Sequence, residues 1–451
     1  MIGARSIPMW IAVCAAVVGS SAAANVVPAA DALPGTPPST PAPPGEPTSS
    51  ASPQDRQAAQ PPPQAFADPA GATATGDWGG WRRDLKSAGV DFQLYYNQQF
   101  QAVLKGGRTT DGSPRGSASF DLILILDLEK LSAMPETEAL IHAQQNCGLG
   151  VNAYVDGLTQ VNDDADGHVD LHVGQAWVRK HFLDRRVSLT VGFLDFQTIV
   201  DRNAVANSED KQFLHQMLDN NPLIPLNIGL GAALSLKPIP QYTFIAGAGD
   251  AESILYKPGF STALHDDSAF FAYLEHEITL TLPSARGSLP GSWRVGLVYD
   301  PRDKNVLLDE DEKPRTRTDD YGYYVSADQR VFREQAGSEQ GLSIFGRYGY
   351  RDSRLNRTNT FWSAGVSYRG LIPGRDNDVA AFGFAAQTSS AQYRRFVNET
   401  AGTEAVYELY YAIELTPWCV LTPDVQYVHN PGAIDGVGHA VTAGVRLRLS
   451  F

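Results

Sequence analysis

The stretch His439-Ala440-Val441-Thr442-Ala443-Gly444-Val445-Arg446-Leu447-Arg448-Leu449-Ser450-Phe451 alternates residue by residue. Val441, Ala443, Val445, Leu447, Leu449 and Phe451 fall on one face, and Ala440, Thr442, Gly444, Arg446, Arg448 and Ser450 on the other, because strand side chains repeat every two residues. One apolar face, two arginines on the opposite face and a closing aromatic fit a transmembrane β-barrel, with lipid outside, water inside and no unpaired edge. Two arginines on one face suit a wet lumen better than the dry core of a soluble sandwich.

Working back from this strand, the same period recurs. Val90, Phe92, Leu94 and Tyr96 oppose Asp91, Gln93, Tyr95 and Asn97, and Phe120, Leu122, Leu124, Leu126 and Leu128 oppose Asp121, Asp127 and Glu129. The pattern predicts sixteen strands, at 90–104, 117–130, 137–147, 169–182, 186–194, 229–237, 240–249, 269–281, 291–300, 321–332, 341–350, 359–369, 377–389, 405–416, 419–430 and 438–451. An even number closes a barrel with both ends on one side. In 169–182 the pattern leaves open which face is apolar.

The connections alternate in length. Short links, such as Leu183–Arg185, Pro238-Ile239 and Pro417-Trp418, separate long ones at 148–168, 195–228, 250–268, 301–320 and 390–404. Outer-membrane barrels have short periplasmic turns and longer external loops, so the carboxy-terminal strand is expected to end on the periplasmic side.

Ahead of the strands, residues 1–24 read as a secretory leader: Arg5 precedes the apolar run Ile11–Val18, and Ala22-Ala23-Ala24 offers a cleavage site. Residues 25–75 form a Pro/Ala/Ser-rich segment that cannot bury a core and is expected to be a disordered, extended spacer. A short helix is expected at about 81–88, closed by Gly89. No segment approaches the roughly 18 apolar residues of a membrane helix.

A net charge of -14 without a basic cluster argues against nucleic acid as a partner. After the leader is removed, Cys147 and Cys419 remain; they are placed tens of ångströms apart along the wall at about 3.3 Å per residue, so two thiols and no disulfide are expected. Asn162, Asp164, Asp166 and Gly167 resemble the start of a calcium loop, but Val173 stands where its bidentate Glu belongs, so no metal site is assigned. No cofactor motif and no hydrolase pattern appears, so the chain is not expected to be an enzyme.

From Gly76 to Phe451 the chain resembles the carbohydrate-selective porin family of OprB-type outer-membrane channels. The resemblance is carried by Gly76-Asp77-Trp78-Gly79-Gly80, Leu126–Leu131, Val191-Gly192-Phe193-Leu194-Asp195, Asp201–Glu209, Phe345–Tyr350, Gly370–Asp376 and Pro423–Tyr427. It implies a sixteen-stranded barrel that passes sugars by passive diffusion. Phe193 stands where a lysine is associated with the family, which removes any pore-lining role there.

The link at about 194–228 follows the fifth strand and is the third external loop; a loop of about 35 residues usually folds somewhere functional. In general porins this loop narrows the lumen, and the resemblance places Asp195, Asp201, Arg202, Asn203, Ser208 and Glu209 near a constriction. Such side chains offer paired donors and acceptors to sugar hydroxyls. A surface loop or an intersubunit latch is the other reading. Alternation marks Asp91, Gln93, Asn97, Glu275, Arg294, Arg347, Glu408, Glu414, Asp424, Gln426, Arg446 and Arg448 as facing the lumen. Tyr95 could stack on sugar rings, whereas Tyr350, Trp362, Tyr368 and Phe451 suit an interfacial girdle.

The expected partners are carbohydrate substrates, outer-membrane lipids and the barrel-assembly machinery, which would take the Phe451 strand; the assembly is a monomer or a homotrimer. The alternatives are a general diffusion porin for small polar solutes, a membrane-embedded barrel hydrolase, and an exported polysaccharide-binding β-protein.

Overall fold

In the computed structural model, the described residues are 71–451 apart from 225–227, 255–259, 266–267, 308–314, 398–401 and 434–435. The expected leader and the spacer up to residue 70 lie outside them. The first nine strands are β1 (Val90–Gly107), β2 (Arg115–Asp127), β3 (Thr137–Gly148), β4 (Val169–Phe182), β5 (Val187–Asp195), β6 (Ile228–Ile239), β7 (Tyr242–Asp250), β8 (Phe270–Leu282) and β9 (Leu289–Asp300). A small hairpin, β10 (Lys304–Asn305) and β11 (Thr316–Arg317), follows. The wall resumes with β12 (Asp320–Arg333), β13 (Gly341–Arg351), β14 (Thr358–Arg369), β15 (Val379–Ser389), β16 (Thr403–Thr416), β17 (Cys419–His429) and β18 (Gly438–Ser450). All but β10 and β11 form one closed barrel in which each strand pairs antiparallel with its neighbours. β1 closes on β18 with Tyr95 opposite Ser450 and Phe100 opposite Val445. Among the described residues no helix is long and apolar enough to cross a membrane; the crossing elements are the strands.

Burial is inverted relative to a soluble sheet. Leu171, Trp293, Val295, Leu297, Leu409 and Val425 are exposed on the outer face, while Asn97, Gln99, Glu275, Ser326, Gln426 and Thr442 are buried on the inner one. This is the side-chain distribution that a lipid exterior and a polar interior select. Towards the outer ends of the strands, contacts between neighbouring rings link Tyr299 to Tyr321, Tyr323 to Tyr350, and Trp362 through Phe384 and Tyr407 to Tyr427. They form an aromatic girdle at interface height.

Two departures from the expected pattern have local causes. The strand predicted to run from 117 to 130 stops at Asp127, whose carboxylate accepts the Lys130 N–H and caps a helix at Leu128–Ser132; Ala133 ends that helix in the left-handed conformation. Leu128 and Glu129 therefore belong to a periplasmic turn. In β4 the register to β3 skips Gly174: Ala143 pairs with Val173 and His142 with Gln175. One extra residue inverts the alternation, so Leu171 and Val173 face out before the bulge and Val178 and Phe182 after it. That inversion is why 169–182 showed no consistent apolar face.

The helix Trp81–Ser87 lies beside the barrel seam. Arg82 donates to the carbonyls of Phe92 (3.0 Å) and Phe451 (2.9 Å) and stacks over the Phe92 ring, while the Phe451 N–H donates to Leu94 (2.9 Å). A single guanidinium thus ties the first strand to the last. Cys147 and Cys419 form no disulfide.

Candidate functional site: the lumen and its folded loops

Two external loops bond to inward residues of the wall: L2, residues 149–168, and L3, residues 196–227, of which 225–227 lie outside the described residues. L3 starts where Asp195 accepts the Gln197 N–H (2.9 Å) and caps a short 3-10 turn, Phe196–Thr198. Phe196 seats inside the wall against Phe271 and Tyr273. Gly249 permits this, since a Cβ there would come within 2.3 Å of the Phe196 ring. Further along L3, Phe213, Met217 and Leu218 pack on Phe345, Phe361, Val406 and Tyr410 of the inner wall. The barrel therefore contains an apolar core between L3 and the β13–β18 wall, in addition to its polar surfaces.

Charged wall residues fasten the loop. Arg347 on β13 pairs with Asp201 (3.2 Å) and donates to the Leu218 carbonyl (3.0 Å), the Asn207 side chain (3.2 Å) and the Ala206 carbonyl. Glu408 on β16 accepts the backbone N–H groups of Leu214 (2.6 Å) and His215 (2.9 Å). On β18, Arg446 donates to the carbonyls of Glu209 and Gln212, and Arg448 pairs with Asp210 (2.8 Å). Glu275 on β8 accepts the Asp201 N–H (2.7 Å) and the Tyr324 hydroxyl (2.6 Å). Charge-assisted bonds of this kind are stronger than neutral ones.

L2 sits against β1–β3, β16 and β17. Gln426 donates to the Val161 carbonyl (2.8 Å), and Glu404 accepts from the Leu158 N–H (2.7 Å). Asp164 accepts from Ser119 (2.7 Å) and Gln99, and Asp166 accepts the N–H groups of Gly150 (2.7 Å) and Asn152 (2.8 Å). The carboxylates of the calcium-like stretch are therefore committed to donors of the protein, and among the described residues no group of metal-ligating side chains converges. The two loops also meet each other: the Asp163 N–H donates to the Leu214 carbonyl and the Gln216 N–H to that of Gln160, each at 3.0 Å.

Enclosure shifts the titration of the loop groups. Burial, with Asp121 adding, pushes the Asp164 carboxyl up to about 7. Burial pushes Asp219 up to about 8 and lowers His215 to about 3. Burial would raise Asp210 as well, but Lys211 and Arg448 outweigh it and hold that carboxyl well below the usual range.

The six residues expected at a constriction separate into two kinds. Asp195, Asp201, Asn203, Ser208 and Glu209 are buried. Asn203 accepts the N–H groups of Val205 (3.0 Å) and Ala206 (3.2 Å), and Ser208 donates to Asp210, so these side chains shape the loop from within. Arg202 keeps an accessible side chain facing Glu277, 3.6 Å away.

The twelve wall residues all lie on inward rows. Asp91 and Glu414 are near the periplasmic mouth, held by Lys86 and Asn377. Gln93 accepts from Tyr95, Asn97 donates to Ser119, Arg294 bridges Glu277 (3.1 Å) and Asp328 (2.8 Å), and Asp424 accepts from Gln426 (3.1 Å). Arg347, Glu408, Gln426, Arg446, Arg448 and Glu275 contact L2 or L3 directly, as described. Phe193 pairs in register with Ala176 and Leu230 and is buried.

Sequence reasoning did not single out Asp210, Lys211 or Gln212, or the inward folding of L2. The signal available was the run of Asn and Asp at 162–166 in a link of barrel-crossing length.

A closed sixteen-stranded barrel with apolar outside, polar inside and external loops folded into its lumen defines a channel of the bacterial outer membrane. Residues 112–451 match the model of the carbohydrate-selective porin, OprB family, and the chain belongs to that family. It is 24% identical over 420 residues to Porin B of Pseudomonas aeruginosa, covering 83% of this chain and 90% of that protein. The fold is similar to the high-pH structure of Pseudomonas putida OprB, with a TM-score of 0.75, 22% identity, and coverage of 86% of this chain and all of that one. The low-pH structure of the same protein superposes with a TM-score of 0.54 at 21% identity. Family and fold are those of an outer-membrane carbohydrate-selective porin.

Proposed function

We propose that sugars cross this barrel by passive diffusion and are selected where L3, braced by L2, narrows the lumen. The observation that carries the reading is the anchoring of L3 to inward residues of β13, β16 and β18 through Arg347, Glu408, Arg446 and Arg448. A loop fixed at so many points presents a rigid aperture, and rigid placement is what discrimination between hydroxyl patterns needs.

In this reading Arg202, Lys211 and Gln212 meet the solute, while Asp195, Asp201, Asn203, Ser208 and Glu209 hold the loop's shape. Residues 1–24 act as the export leader, and the segment up to residue 75 as a spacer ahead of the barrel.

The test is single-channel conductance of the purified protein in a planar bilayer, with a panel of sugars titrated on one side. Saturable block by particular sugars supports a selective aperture. Steady conductance without block by any sugar would leave a general diffusion pore and overturn the selective reading.

A further inference from the structure

About five residues inside the periplasmic strand ends, the accessible charges are cations and the carboxylates are withdrawn. The Lys211 side chain is 44% accessible and the Arg202 side chain 39%, although the barrel wall surrounds both. Their nearest carboxylates are withdrawn, Asp210 at 1% and Glu277 at 10%. Asp121 is buried against His142 (2.9 Å), and Asp328 is buried against Arg294 (2.8 Å). Lys211 stands against β1 and Arg202 against β8, each about five residues from the periplasmic strand ends.

The inward aromatics at this depth are already occupied. Arg448 lies over the Tyr95 ring at 4.3 Å with Lys211 also at 5.6 Å, and Arg179 lies over Trp177 at 4.4 Å. A ring covered by a cation offers less of its face to a pyranose, so hydrogen bonds and charge must contribute more of the recognition there. A chain of net charge -14 thus presents accessible cations to the lumen at this depth.

From this division we infer that the channel prefers carboxylated sugars, the aldonates and uronates, over neutral ones, with Lys211 and Arg202 as the residues that set the preference. The Lys211 ammonium or the Arg202 guanidinium would meet the carboxylate. This inference rests on the sugar-selective reading above and names its solute class.

The experiment compares half-blocking concentrations of glucuronate, glucose and acetate on the full-length protein in planar bilayers, with a folded barrel verified by heat-modifiable gel mobility. The expected result is glucuronate block at a concentration lower than that of glucose by about tenfold, as one charge-assisted contact warrants. In the double variant Arg202→Gln, Lys211→Gln, and in 1 M salt, that ratio should fall towards one. Equal block by glucuronate and glucose, or a ratio untouched in the folded double variant, would overturn the inference while leaving sugar selectivity standing. Block by acetate as effective as by glucuronate would overturn it as well, reducing the site to an anion passage. Block by none of the three in a conducting channel would instead remove the underlying sugar-selective reading.

Discussion

Replacing Arg347 by alanine should release L3 from the wall while leaving the barrel closed. The guanidinium is buried and serves Asp201, Asn207 and the carbonyls of Ala206 and Leu218, residues more than 120 positions away in the chain. Removing one partner of a buried ion pair costs about 3–5 kcal/mol, because the other charge is left uncompensated. Water entering the vacated space would serve the carbonyls, so the lower part of that range is the working figure. At about 1.4 kcal/mol per tenfold, the undocked population of L3 rises by roughly two to three orders of magnitude. No strand pairing passes through the Arg347 side chain, so the folded barrel should still show heat-modifiable mobility.

The assay is single-channel recording with sugar titration. The alanine variant should show larger and noisier conductance and weakened sugar block; Arg347→Lys, which keeps the charge but not the fork, should fall between it and the unmodified protein. A folded Arg347→Ala protein with unchanged conductance, noise and block would refute the role of this anchor.

Other consequences concern packing, the seam and pH. At Gly383 on β15 a Cβ would come within 2.7–2.8 Å of Leu218 and Phe213, so Gly383→Val should displace L3 at a cost of about 1–3 kcal/mol. Larger conductance from a barrel of normal mobility would show it, and an unaltered channel would contradict that packing. Arg82→Ala removes the bonds to Phe92 and Phe451 and should lower the temperature at which the barrel unfolds in a gel-shift series, by loss of about 1–3 kcal/mol at the seam; an unshifted transition would place the seam's strength elsewhere. Asp164 has a folded value of about 7, above its ordinary 3.8, so its contribution to docking L2 is complete below about 4 and is lost as pH rises through 7. Channel flicker should accordingly increase as pH rises from about 4 to 7 and level off above that, and a flat profile over that interval would exclude Asp164 as its source.

The wall of this protein is legible in the sequence because its information is local. Period-two alternation in segments such as Asp320–Arg333 and His439–Ser450 specifies which side chains meet lipid, and turn residues mark where each strand ends. The inward rows holding Arg347, Glu408 and Arg446 follow from the same count. Where the local rule bends, as at the Gly174 bulge or the Asp127 cap, the reading slips by a few residues and then recovers.

The lumen depends on the tertiary structure. L2 and L3 have no period, and their conformations are set by partners far away in the chain: Asp201 by Arg347, Leu214 by Glu408, Asp164 by Gln99 and Ser119. Asp201 and Arg202 are adjacent and both look like pore residues, yet one is buried in an ion pair and the other reaches solvent. Residue type fixes what a side chain can bind, but which one a solute can touch is decided by desolvation and packing inside a closed wall, and neighbours in sequence do not share those.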